Sequence, residues 1–121
     1  MSDEIRGHLD VERARADAQL AALTREFDAI VAAAAADPPD DEHDPDGATI
    51  GFERAQLQSL IDTTRQRRSD LDAALARLEA DEYGRCERCG AAIPAARLAA
   101  IPTATRCVIC AADTKGRRRA P

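Results

Sequence analysis

The sequence predicts a mainly α-helical protein: a long antiparallel coiled-coil helical hairpin with a small C-terminal four-cysteine zinc-finger module and short helices. Three observations predict it. Apolar residues recur in alternating steps of four and three through two stretches of nearly equal length, the seam of a coiled-coil helix. A run of prolines and carboxylates at residues 37–46, DPPDDEHDPD, separates the two stretches. All four cysteines follow the second stretch, in two Cys-x-x-Cys pairs with seventeen residues between them.

The first helix is expected over residues 3–36. Its seam is Leu9, Arg13, Ala16, Leu20, Leu23, Phe27, Ile30 and Ala34. Ser2 suits the N-cap, and Asp3 and Glu4 offset the positive end of the helix dipole. Pro38 and Pro39 stop the helix, because neither can donate the next helical hydrogen bond and each disfavours helical geometry in the residue before it.

An acidic tip loop is expected over residues 37–48. Its first ten residues hold six carboxylates and no Lys or Arg, one more negative charge than the chain's net of −5. The excess negative charge is therefore confined to this loop. The second helix, residues 49–82, carries the seam Leu57, Ile61, Thr64, Arg68, Leu71, Leu75 and Leu78, with Thr64 and Arg68 as polar interruptions that cost stability and fix register. Gly84 suits a left-handed C-cap. At roughly 32 residues, or about 50 Å each, the two helices match in length, so they can fold back and bury each other's seams. A parallel coiled-coil dimer is the competing arrangement, and the prolines and glycine between residues 38 and 51 break the continuous rod it needs.

Residues 83–114 are expected to form a zinc finger on Cys86, Cys89, Cys107 and Cys110. A two-residue spacer lets both thiolates of a pair reach one ion, Gly90 permits the tight turn, and the spacing between the pairs lies within the range of zinc sites. Arg85, Arg88 and Arg106 lie beside the ligands, where cations favour thiolate over thiol. Pro94 can start a short helix through Leu98, and the segment from Cys107 onward can be helical. So small a module has too little core to fold unaided, whereas zinc contributes on the order of 10–16 kcal/mol in finger peptides, so one structural Zn2+ is expected. A redox Cys-x-x-Cys needs a βαβ context that is missing, and a catalytic zinc keeps an open position that four cysteines close. Residues 115–121, KGRRRAP, read as a solvated basic tail.

Composition excludes several function classes. Phe27, Phe52 and Tyr83 are the only aromatic residues, so burial relies on Ala, Leu, Ile and Val in thin seams and deep substrate clefts are not expected. There is no catalytic dyad and no phosphate-cradling glycine loop, so the chain is read as not an enzyme. A pI near 5.0 and the lack of a basic face apart from the tail argue against a nucleic-acid-binding protein. The longest apolar run, residues 29–36, is too short to span a bilayer, and no signal-like segment opens the sequence, so a cytoplasmic protein with no membrane partner is expected. Arg outnumbers Lys sixteen to one, a bias of GC-rich bacterial genomes.

The acidic loop between two long helices, the segment DEYGRCERCG and the segment IPAARLAAIPTATRCVIC together resemble the DksA/TraR family of bacterial transcription regulators, in an actinobacterial-like variant. The resemblance implies a non-enzymatic monomer that binds RNA polymerase and inserts its acidic coiled-coil tip into the secondary channel, without sequence-specific DNA binding. A slender probe with carboxylates at its end suits a confined, metal-bearing centre. The family tip motif Asp-x-x-Asp-x-Ala places Asp46 on the second aspartate and Ala48 on the alanine. His43 falls on the first aspartate, with Asp44 beside it as a substitute. In the plainer alternative, His43 is a solvated loop residue and Asp46 a cap of the second helix. In proteobacterial members ppGpp binds through basic residues; the aligned Thr63, Asp70, Ile101 and Ala111 bring no cation, so ppGpp synergy is not expected. A second reading keeps the fold but docks it on another partner, a ribosome or stress-related complex, without regulating transcription.

Overall fold

The computed structural model describes residues 2–36 and 45–113, with residues 45–48 described by their backbone alone. Among the described residues four helices follow one another: α1 (Ser2–Ala36), α2 (Pro45–Glu79), α3 (Ala95–Ala100) and α4 (Val108–Ala112). Strand geometry is confined to an isolated antiparallel bridge between Arg85 and Ala92. None of these helices is long and apolar enough to cross a membrane. The mainly α-helical class read from the sequence holds. The chain divides into two compact units, one of Arg13–Ser69 and one joining Met1–Glu12 to Asp70–Pro121.

In the unit Arg13–Ser69, Ala16 of α1 and Ile61 and Thr64 of α2 are buried. Leu20, Leu23, Phe27, Ile30, Ala34 and Leu57 are half-buried, so the expected seam residues do turn inward. Thr64 is satisfied within its own helix, where its hydroxyl donates to the Leu60 carbonyl at 2.7 Å. Arg68 departs from the seam: it is exposed and pairs with Asp17 of α1. A guanidinium gains nothing from an apolar seam when a carboxylate stands within reach at the surface.

In the other unit, Leu9 of α1 and Leu71, Ala74, Leu75 and Leu78 of α2 are buried. Arg6 of α1 pairs with Glu79 of α2 at 3.2 Å.

Both ends of α2 differ from the sequence reading. That reading carries the acidic loop through residue 48, whereas α2 starts at Pro45. Proline suits a first helical position, because its missing N–H is one the helix would leave unbonded and its φ is already helical. By backbone, Asp46 and Ala48 thus belong to the first turn of α2, and their side chains lie outside the described residues. Asp44, His43 and the remainder of residues 37–44 lie outside the described residues as well, as does the basic tail.

At the other end the reading runs the helix to residue 82 and caps it with Gly84, whereas α2 stops at Glu79 and Asp81 takes the left-handed conformation, at φ 62°. The Glu82 N–H donates to the Arg77 carbonyl at 2.8 Å and the Asp81 N–H to the Leu78 carbonyl at 3.2 Å. This is the Schellman pattern, with aspartate where glycine usually stands; a short polar side chain is among the few that tolerate that region. Arg77 adds a side-chain cap, donating to the carbonyls of Glu82 at 3.0 Å and Arg85 at 2.6 Å. Gly84, at φ 83°, serves the following turn instead: its carbonyl accepts from Ile93 N–H at 2.7 Å.

Candidate metal centre

The first cysteine pair sits on a tight turn. The Gly90 N–H donates to the Cys86 carbonyl at 2.9 Å, and the Cys86 N–H donates to the Ala91 carbonyl at 2.8 Å. Gly90 makes this possible at φ 79°, a conformation that favours glycine, as the sequence suggests. The bridge from Arg85 to Ala92 closes the base of the turn.

The second pair is built on a helix start. Cys107 is the N-cap of α4, and its Sγ accepts from the Cys110 N–H at 3.5 Å. The first pair repeats this contact, with the Cys89 N–H 3.5 Å from the Cys86 Sγ. In each pair the leading sulfur is thus met by the backbone N–H three residues on. α3 starts directly after Pro94, as expected from the sequence, and continues to Ala100.

Cys86, Ile93 and Cys110 form a small buried cluster against which Leu98 and Cys107 pack. Two of its three buried members are cysteines, so little apolar surface holds this module together without a metal. Tyr83 ties its entry to a later loop, donating its hydroxyl to the Pro102 carbonyl at 2.8 Å. No sequence spacing announces that contact.

The four sulfurs lie within 4.8 Å of one another, and those of Cys89 and Cys107 are 3.9 Å apart. Tetrahedral zinc with four sulfurs at about 2.3 Å requires sulfur separations of about 3.8 Å. None of the four is in a disulfide. The donor set therefore fits one zinc ion with a closed shell, which is the structural type.

Backbone donors tune these thiols. The Cys89 N–H is the largest influence lowering Cys86, to about 6, and the Cys110 N–H likewise lowers Cys107. Burial pushes Cys110 up to about 12. The side chains of the neighbouring arginines also have partners that the sequence does not name. Arg85 donates to the Gly90 carbonyl at 3.2 Å, Arg88 pairs with Asp113 at 3.3 Å, and Arg106 pairs with Glu87 at 3.0 Å. Their side chains fasten turns together, and the Arg88 backbone N–H is among the groups that lower Cys86.

Comparison with known proteins agrees with this geometry. The profile of the prokaryotic dksA/traR C4-type zinc finger matches residues 81–115. The structure of transcription factor DksA2 from Pseudomonas aeruginosa superposes with a TM-score of 0.79 at 27% identity, covering 98% of this chain and 86% of that one. Residues 81–115 are thus similar to the DksA/TraR zinc finger, and the fold is similar to that of DksA2. An uncharacterized protein from Aquifex aeolicus is 46% identical over 46 residues, which are 38% of this chain and 32% of that protein. The chain thus matches about a third of that relative's length. The profile and the four convergent sulfurs together assign one structural zinc.

Proposed function

We propose that this protein is a DksA-like transcription regulator that binds RNA polymerase and extends the acidic tip between α1 and α2 into the secondary channel. The observation that carries this reading is the fold likeness to a transcription factor over 98% of the chain, finger and both long helices included. The carboxylates of residues 37–46, collected where the two helices meet in sequence, supply the charge such a tip needs. Asp46 is the residue assigned to polymerase contact, with Asp44 and Ala48 beside it. The protein acts as a monomer, without chemistry of its own and in the cytoplasm. Thr63, Asp70 and Ile101 stand exposed at the positions where relatives carry phosphate-binding cations, which supports action independent of ppGpp.

A photo-crosslinking residue at position 46 tests the assignment. Labelling of the host polymerase near its catalytic centre is expected, and a known occupant of the channel should abolish it. Asp46→Asn should keep polymerase binding while losing most of the effect on open-complex lifetime. Labelling confined to other polymerase surfaces, or none with active polymerase, would overturn the reading and favour docking on a different partner.

A further inference from the structure

The two residues between Cys86 and Cys89 reach across to opposite flanks of the second cysteine pair. Glu87 reaches the chain just before Cys107: its carboxylate accepts from Arg106 Nε at 3.0 Å and from Thr105 Oγ1 at 3.3 Å, and its backbone N–H donates to the Thr105 carbonyl at 2.8 Å. Arg88 reaches the chain just after α4, where its guanidinium contacts both the carbonyl and the carboxylate of Asp113 at 3.3 Å. The pairs of sulfurs are thus straddled by side-chain contacts spanning 18 to 25 residues.

Burial within the site is uneven. Cys86 and Cys110 are buried, Cys107 is half-buried and Cys89 is exposed. A competing ligand therefore meets the Cys89 and Cys107 edge first, and Arg88 and Arg106 lie next to those two cysteines in sequence.

We propose that Glu87 and Arg88 form a two-armed clasp that holds the two cysteine pairs together and sets how fast this finger gives up its metal. They are positioning residues: neither donates to the metal, and each acts on the sulfurs by fixing the separation of the two turns. The four cysteines would hold the metal, and a chelator would compete for it at the exposed Cys89 edge. With the clasp closed, the second turn stays in place and all four sulfurs stay within reach of one ion. With an arm removed, the turns separate and release proceeds. Because both ion pairs are partly exposed, each arm slows release only modestly, by about threefold.

The proposal rests on zinc held by all four cysteines, so the full chain is first titrated with cobalt, whose absorption reports tetrahedral thiolate coordination. One cobalt per chain in the parent and in every variant is expected; a parent lacking that spectrum would overturn the four-cysteine site and the clasp with it. Zinc-loaded protein is then mixed with excess chromophoric chelator and the release rate recorded. Glu87→Gln and Arg88→Gln should each release about threefold faster, and Glu87→Arg faster still. Adding Arg106→Glu to Glu87→Arg should return the rate to within about twofold of the parent, a recovery that general loosening of the fold would not produce. With the cobalt spectrum intact, parental rates in both Gln variants, or no recovery in the reversed pair, would overturn the clasp while leaving the zinc assignment standing.

Discussion

The two compact units of this chain are held together by different means. Among the described residues between Arg13 and Ser69, those that are buried are Ala16, Ile61 and Thr64, one of them minimal in size and one polar. The other unit buries Leu9, Leu71, Ala74, Leu75 and Leu78, and then Cys86, Ile93 and Cys110 around the metal site. Two helices alone offer each side chain one partner surface, so a long seam stays half-buried however regular its spacing. The unit that also holds the finger buries five large aliphatic side chains, Leu9, Leu71, Leu75, Leu78 and Ile93, against Ile61 among the described residues of the other. Buried apolar side chains are therefore concentrated in one unit.

Removing the metal should sharpen that contrast most. Chelation, or Cys110→Ser, is expected to abolish hydrogen-exchange protection across residues 84–113 while Arg13–Ser69 keeps its helical signal. Equal loss in both units would show that the coiled coil depends on the finger. Acid should act in the same direction. Cys110 is pushed up to about 12 by burial, so at neutral pH metal must displace its proton. Zinc affinity therefore falls as pH falls, and competition titrations at two pH values measure the slope.

Core truncation comes next. Leu71→Ala, at a position with 0% exposure, should cost about 2–5 kcal/mol in denaturant unfolding. Leu23→Ala, half-buried in the other unit, should cost about half as much, because its site is already open to water. Equal costs would erase the distinction between the units. The smallest effect is expected at the end of α2. Asp81→Gly removes the strain of a left-handed aspartate and should stabilise by about 0.5–1 kcal/mol, visible as a rise in Tm. A loss of stability there would mean that the carboxylate does more than tolerate its backbone.

The comparison also explains what can be read without coordinates. Steps of four and three locate the inward-facing residues from Leu9 to Leu78, because seam position is a property of local spacing. The cysteine pairs are equally legible, since metal geometry dictates their separation. The end of α2 is not. Both Asp81 and Gly84 adopt the left-handed region, and only hydrogen bonds back to Leu78 and Arg77 decide which one closes the helix. The start of α2 is obscured by its acidity, since a proline among carboxylates reads as loop although it also suits a first helical turn. Arg68, Arg88 and Arg106 escape a linear reading for one reason. A long cationic side chain finds its partner through space, and nothing in the spacing names Asp17, Asp113 or Glu87.

Tyr83, half-buried with its hydroxyl bonded to Pro102, is the chain's sole tyrosine, and there is no tryptophan. Excited at its absorption maximum, the protein therefore carries one dominant emitter, placed where α2 hands over to the finger. Emission and tyrosinate absorbance report that junction alone, while far-ultraviolet dichroism is dominated by the 35 residues of each long helix. Burial raises the phenol's ionisation above its usual range, and opening of the finger should lower it again. The chain is thus labelled by its own composition, and the two optical signals can follow the metal module and the helices separately in a single sample.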